Sequence, residues 1–406
     1  MRVLFISIAW PGQGERNLYS DLLSEFALNG HEVFVVSASE LDDLQNGSRE
    51  PVNENGMTIL RIKTGMIRKT SYLRKSISLL TLGNKISSAI VKHFPGIKFS
   101  IILSHTPPIT LSVLFRKLKK YHNAYFYLLL KDIWPQGSVD HKIFKKYSIP
   151  WCYLRFHERL IYKTADKVGC MSPLGVSYIL SHNNFLSESK VEVCPNSIRP
   201  TVDFPVVENT LIRQKYGIPN EACVFIFSGN LSKGHGLGFL VDAVKRLSGY
   251  PSAFFLIGGS GTHYDYLENS FSNYDKSNVL LYRRLPLDDF NKLMQSSDIG
   301  LILLDSCYTV PQFPSRLLSY LDHSKPVLCA VNSATDIGTI VEKNNCGKTV
   351  LHGDIEAFIG AVRLLSENPA LRKQMGLNSR KLLDTEYNVS NCYNIITKSL
   401  TIKKHK

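Results

Sequence analysis

The sequence predicts an α/β fold built from two doubly wound, Rossmann-like domains. Three observations carry that prediction. The chain has 406 residues, too many for one core and enough for two α/β domains. Short apolar runs alternate with amphipathic helical stretches from end to end, the rhythm of parallel strands covered by helices on both faces. Prolines at 195, 200, 205 and 219 interrupt regular structure near the middle. The boundary therefore falls around 196–219, between a first domain of residues 1–200 and a second of residues 201–387.

Each element follows from its pattern. Residues 3–8 read as a buried strand. Leu18, Leu22, Leu23 and Phe26 recur at helical spacing, and Gly30-His31 closes that helix before a strand at 32–37. Short apolar runs at 100–104, 125–130, 168–171 and 191–193 complete the first half. The second half opens with a strand at 224–228 and a glycine loop, followed by a helix marked by Leu237, Leu240, Val241, Val244 and Leu247. Strands at 254–257, 279–281, 299–304 and 327–330 follow. A last helix, 390–402, gathers Cys392, Ile395, Ile396 and Leu400 on one side. Its pattern alone leaves open which domain it joins.

Composition narrows the class. With 44% hydrophobic and 20% charged residues the chain reads as globular. Eight cysteines form no CxxC pair, so buried, reduced thiols are expected and no metal site. The opening MRVLFISIAW reads as a strand, not a signal peptide, and no apolar run reaches the roughly 18 residues of a spanning helix. A cytoplasmic protein with at most peripheral membrane contact is expected. The net charge is +14, unevenly spread. Residues 1–200 hold 26 Lys and Arg against 15 Asp and Glu, and residues 55–131 hold fourteen basic residues and no acid. Such a field attracts a polyanion: anionic lipid, a lipid diphosphate or nucleic acid.

Five glycine-rich or basic segments point to phosphate chemistry. The first βα turn, Ala9 to Asn17, places Gly12 and Gly14 before a helix start, where backbone N–H groups can approach an anion. By itself it also fits an ordinary tight turn. The run Phe227 to Leu237 holds three glycines, Asn230, Lys233 and His235 ahead of a helix, a phosphate cradle without the GK[ST] of a P-loop. Gly258, Gly259 and Gly261 follow one βα unit later; they either border the same crevice or serve the turn's own packing. Arg283 and Arg284 follow the next strand; one of them reaches a base or diphosphate, or both are merely solvated. Finally, Phe313-Pro314-Ser315-Arg316-Leu317 starts a helix. There the N–H groups of Ser315 to Leu317 and the planar fork of Arg316 suit a diphosphate. A departing nucleoside diphosphate gains charge as its glycosidic bond breaks, so cations at that point favour the transition state.

In the first half, Leu128-Leu129-Leu130-Lys131-Asp132 ends a strand in a charge. Asp132 there is a candidate base or sugar-hydroxyl ligand, or a cap or partner for Lys131. His105, in Ser104-His105-Thr106-Pro107-Pro108, also lies at a strand end and is the secondary candidate.

These residues resemble a family. MRVLFIS…GHEVFVV, TPPITL, LLLKDIWPQ, CPNSI, GNLSKGHGL, LIGGSG, the Ser297-Asp298-Ile299-Gly300-Leu301 run and PSRLLSYLDHSKPV are similar to GT-B enzymes of the glycosyltransferase family 4 type. The matches run from residue 1 to beyond 330, and LLLKDIWPQ and TPPIT are closest to bacterial O-antigen or capsule transferases, N-acetyl-L-fucosamine transferase-like members among them. The resemblance implies two Rossmann-like domains facing a central cleft, with residues 388–406 returning to the first. It implies retaining, metal-independent transfer from a UDP- or GDP-sugar to an undecaprenyl-diphosphate-linked saccharide at the inner membrane surface. No cofactor and no nucleic acid are implied. Glu15, Asn17, Gln312 and Phe313 would meet the donor sugar or acceptor. Arg68, Lys69, Arg74 and Lys75 would form a basic face toward lipid, with Ile77, Leu79, Leu80 and Leu82 either interleaved as an interfacial segment or packed into the domain core.

Three departures stand out. The family's paired glutamates are Pro311 and Ser319 here. Asn230 replaces an arginine, and His235 a lysine, with Lys233 close enough to supply that charge. Asp322-His323-Ser324 replaces a run of small residues. Competing readings are a nucleotide-sugar epimerase of the same fold, which needs no lipid-facing basic stretch, and a non-catalytic polyanion or nucleic-acid binder, which needs no paired glycine turns. A dehydrogenase lacks its GxGxxG.

Overall fold

A computed structural model of the chain describes residues 1–12, 15–39, 50–64 and 72–404, without the side chains of 72–80, Lys276 and 401–404. Its contacts divide the chain into two units, Met1–Arg199 with Asn388–Lys406, and Pro200–Tyr387. The first runs β1 Arg2–Ser7, α1 Leu18–Leu28, β2 Glu32–Ser39, β3 Val52–Glu54, β4 Met57–Lys63, α2 Tyr72–His93, β5 Ile101–His105, α3 Ser112–His122, β6 Tyr125–Leu130, α4 Gln136–Asp140, α5 Ile149–Thr164, β7 Lys167–Cys170, α6 Pro173–His182 and β8 Val191–Val193. The second runs α7 Asn209–Lys215, β9 Cys223–Asn230, α8 Leu237–Arg246, β10 Ala253–Ser260, α9 Tyr264–Ser270, β11 Val279–Tyr282, α10 Leu287–Ser296, β12 Ile299–Leu303, α11 Arg316–Asp322, β13 Val327–Val331, α12 Ile337–Lys343, β14 Gly347–Leu351, α13 Ile355–Glu367 and α14 Pro369–Glu386. Helix α15, Val389–Lys404, follows.

Each unit is a doubly wound α/β layer, the fold class the sequence predicts. The first sheet has the order β3-β4-β2-β1-β5-β6-β7-β8 and is parallel except for β3. The second has the order β11-β10-β9-β12-β13-β14, all parallel. In both, the order reverses beside the first strand of the unit, the switch point where such sheets bind ligands beyond their carboxyl ends. Central strands such as β6, YFYLLL, are buried at every residue, as covered parallel strands must be.

Four elements, β3, β4, β14 and α2, escaped the sequence pattern. The β3–β4 hairpin alternates polar with apolar residues at Thr58, Arg61 and Lys63, which marks a strand near the sheet edge. Strand β14 carries only partly buried or exposed residues after Gly347. Helix α2 packs on β4 and α3, and Leu82 and Ile86 lie in the core. That corrects the interfacial reading of Leu82, because the helix uses this residue to cover its own sheet. No helix among the described residues is long and apolar enough to cross a membrane.

Helix α15 completes the first core. Val389, Cys392 and Ile396 pack with Tyr127, Cys194 and Phe26, the thiols of Cys194 and Cys392 lie 3.3 Å apart, and Tyr393 meets His31 at 3.0 Å.

The second core is pinned by a buried cation. Arg213 donates to the carbonyls of Asn220, Ala222 and Ser296 at 2.6–3.0 Å and to Asp298 at 2.9 Å. Asp298 in turn accepts the Val224 N–H at 2.8 Å. Removing one partner of such a group leaves the others desolvated and unpaired, at a cost of roughly 3–5 kcal/mol. Arg213→Met is therefore expected to lower the unfolding free energy of the second unit by that amount, read from urea midpoints at an unchanged slope.

Candidate active site

The donor-side candidates lie at the carboxyl ends of β9 and β10. These strands pair Ser228 with Gly258, Gly229 with Gly259 and Asn230 with Ser260. They approach so closely that a Cβ on Gly259 would sit 1.8 Å from the Gly229 carbonyl, and one on Gly261 2.1 Å from the Leu231 carbonyl. Gly258 lies against the Tyr282 ring, 2.0 Å from where a Cβ would be. Close packing therefore demands these glycines, whatever they border.

Arg316 reaches this place from the start of α11. Its Nη2 donates to His235 Nε2 at 2.8 Å and to the Asn230 carbonyl at 3.5 Å. The guanidinium lies 4.0 Å over the Phe227 ring. A cation donating to Nε2 requires that nitrogen unprotonated. Nη1 is enclosed and makes no hydrogen bond among the described residues. Burial lowers the Arg316 pKa, with Tyr320 opposing. Tyr320 is itself fully buried and donates to the Ile226 and Leu301 carbonyls. The structure thus brings Asn230, His235 and Arg316 together, with Lys233 exposed on the adjoining turn, Lys233–His235. The Asp305 N–H fixes that turn by donating to the Gly234 carbonyl at 3.0 Å.

Other donor-side candidates fall elsewhere. Ser315 is exposed, immediately before α11. The Leu317 N–H is taken by the Pro314 carbonyl at 3.2 Å and its side chain is core, which corrects its assignment as an anion-facing amide. Phe313 is also interior, its ring 5.9 Å from Tyr387, and so is corrected from a sugar contact to a packing residue. The Gln312 carbonyl accepts from Thr335 Oγ1 at 2.6 Å. Arg283 pairs with Asp265 and lies 4.2 Å over the Tyr264 ring, at the α9 side of β10.

Two residues that sequence reasoning missed shape this site. Phe227 supplies the ring beneath Arg316, although it reads only as one more strand residue. His352 sits so close to Gly236 that a Cβ there would be 2.0 Å from Nε2. Only the left-handed backbone of Gly236, φ 59°, hints at that crowding.

In the first unit, Thr106 ties the ends of β5 and β6 together. Its Oγ1 donates to the Asp132 carbonyl at 3.0 Å and accepts the N–H groups of Lys131 and Asp132. His105 is buried, stacked on Tyr19 at 4.4 Å, with Nε2 3.0 Å from Ser7 Oγ. Burial lowers its pKa to about 4, with a backbone bond to Thr106 opposing and Lys131 assisting. Asp132 is different. Burial raises its carboxyl to about 6 against the pull of Lys131, and the same charge raises the Tyr19 phenol beyond its burial. Among the described residues no hydrogen bond reaches the Asp132 carboxylate. The pair is therefore a neutral imidazole and a carboxyl poised near neutrality.

In the first βα turn the described candidates are taken up by local bonds. The Gly12 N–H donates to the Glu15 carboxylate at 3.1 Å, so Glu15 occupies the amide assigned to an anion. Asn17 caps α1, accepting the Tyr19 and Ser20 N–H groups at 2.9 Å, which corrects its assignment as a sugar contact. Gly14, Arg68 and Lys69 lie outside the described residues. Arg74 and Lys75 lie in α2 with side chains outside the description.

Comparison with known proteins adds to this geometry. Residues 208–382 match the family model for glycosyl transferases group 1. A probable glycosyltransferase, WbjE of Pseudomonas aeruginosa, is 23% identical over 260 residues, 61% of this chain and 61% of that protein. The chain thus spans about three fifths of that relative's length. Among solved structures, sucrose-phosphate synthase from Thermosynechococcus elongatus has a TM-score of 0.76 at 15% identity, covering 100% of this chain and 99% of that one. The Anabaena protein HepE in complex with UDP-glucose gives 0.71 at 15% identity over 99% of both chains. WaaG, a glycosyltransferase involved in lipopolysaccharide biosynthesis, gives 0.66 at 16% identity, covering 97% of this chain and 99% of that one. These solved structures share the fold of the chain, and residues 208–382, within its second unit, carry the match to glycosyl transferases group 1.

Proposed function

We propose that this protein is a retaining, metal-independent glycosyltransferase that moves a sugar, N-acetyl-L-fucosamine as the first candidate, from a UDP- or GDP-sugar to an undecaprenyl-diphosphate-linked saccharide in O-antigen or capsule synthesis. It would act at the inner membrane surface. The observation that carries this reading is Arg316: a desolvated guanidinium, held by His235 and Phe227 beside the glycine ends of β9 and β10. Backbone crowded onto backbone there lets a diphosphate approach the chain without side-chain obstruction. The bond from the anomeric carbon to the diphosphate breaks, its electron pair leaves with the nucleoside diphosphate, and Arg316 with Lys233 meets the charge that develops. The acceptor hydroxyl oxygen forms the new bond to the anomeric carbon, and its proton passes to the departing diphosphate. Asp132 holds a sugar hydroxyl, with His105 and Thr106 fixing the strand end that carries it. HepE was solved with UDP-glucose, which favours uridine over guanosine for the base.

The test is calorimetric titration of the whole chain with UDP and with GDP, without added metal. Saturable micromolar binding of one and not the other is expected, and the tighter one names the donor base. Absence of heat with both would sink the nucleotide-sugar reading.

A further inference from the structure

We infer that the outer face of α5, together with the turn before it, is a docking surface for an anionic lipid bilayer. Helix α5 is apolar on two sides. One side does what a surface helix ordinarily does and buries Glu158, Ile161 and Tyr162 in the unit. The other presents Ile149, Tyr153 and Phe156, spaced i, i+4, i+7, to solvent. Ile149 is 87% exposed, Phe156 60%, and in the preceding turn Tyr147 is 72% and Ile143 54%. Scattered surface apolar residues need no explanation, but a continuous stripe of large ones does.

Charge decides what covers it. Lys142, Lys145 and Lys146 are exposed within the same turn, and residues 141–157 contain no acidic residue. Arg159 and Lys163, one and two turns further along α5, lie over the Phe185 ring at 5.2 Å. The Lys146 amine lies 5.2 Å from the Tyr147 ring, which packs edge-on to Trp151 at 5.0 Å. The Trp151 indole N–H is enclosed and makes no hydrogen bond among the described residues. An apolar stripe rimmed by lysines, with exposed Tyr147 and Tyr153 between them, matches a bilayer interface: acyl region, headgroup phosphates, and the amphipathic belt where such rings settle. A second copy of this chain would bring the same lysines against themselves. The surface differs from the basic face expected at residues 68–75. It extends the reading of a membrane-held acceptor, yet its test needs no sugar transfer.

The whole chain is sedimented with vesicles of phosphatidylcholine alone and of phosphatidylcholine mixed with phosphatidylglycerol. Binding to the anionic vesicles only, weakening with salt, is expected. Lys145→Ala/Lys146→Ala should weaken it about 25-fold, roughly fivefold per lysine. Ile149→Glu/Phe156→Glu should abolish it, with the melting temperature and nucleotide binding unchanged because both side chains are exposed. Failure of the unaltered protein to sediment, or equal sedimentation of the variants, overturns the inference. So does a dimer in equilibrium sedimentation that Ile149→Glu dissolves, since the face would then join two copies. Nucleotide binding that persists through any of these outcomes leaves the transferase reading standing.

Discussion

Arg316→Ala is expected to lower sugar transfer by about a hundred- to a thousandfold, the scale on which loss of one preorganised charge-stabilising donor is felt. The guanidinium acts in a place with little water, where its attraction for a developing diphosphate charge is far stronger than at the open surface. His235 and the Asn230 carbonyl hold it by Nη2, which fixes the orientation of the fork, while the enclosed Nη1 has no hydrogen-bond partner among the described residues. Folding should survive, because the variant loses only the bonds to His235 and the Asn230 carbonyl, and Phe227 and Tyr320 keep their own places in the core. Arg316→Lys should fall between, keeping charge but not the planar fork. Donor kcat/KM and the melting temperature of all three proteins check this. Normal turnover in the alanine variant would remove Arg316 from the chemistry.

Asp132→Asn should cost at least a hundredfold in transfer while leaving UDP binding intact, and it should also stabilise the protein. The two effects share one cause. In the folded state burial raises this carboxyl from 3.8 to about 6, so between those values the folded chain holds a proton that the unfolded chain has lost. Stability therefore falls as pH rises through this window and levels off above pH about 6, at a penalty of up to roughly 3 kcal/mol. Asparagine removes the penalty. The variant should melt higher than the parent at pH 8 and match it near pH 4. If the carboxylate form is the working one, the parent's rate should fall as pH drops through about 6, while His105, neutral down to about 4, adds no step above that. A variant that transfers normally, or gains nothing at pH 8, would make Asp132 a structural residue.

Much of the fold was legible because buried parallel strands announce themselves. YFYLLL at 125–130 is a strand to the residue, and the apolar runs at 224–228 and 254–257 are the middles of β9 and β10, which run two and three residues further into the glycines. The edge pieces were not legible: β4 and β14 alternate or lose their apolar character, and α2 hides its buried face among lysines. In the site, the glycine loop and Arg316 were readable from local chemistry, since a helix start, glycines and a cation lie close in sequence. Phe227, Tyr320 and His352 were not, because each acts through a contact that only the folded sheet creates. Asn17, Leu317 and Phe313 show the opposite error. Each lies next to a plausible ligand-binding feature, and each is consumed by a cap, a turn or the core.

The packing of α15 with the first unit bears on synthesis. The first 199 residues leave the ribosome without the strip formed by Val389, Cys392 and Ile396 that covers Tyr127 and Cys194. At ordinary elongation rates of 5–20 residues per second, they wait about ten to forty seconds for it. The second unit is continuous in the chain and can close on itself in that interval. A finished sheet with an open apolar groove is a species that holding chaperones bind, and a nascent chain stalled near Tyr387 should be retained by them.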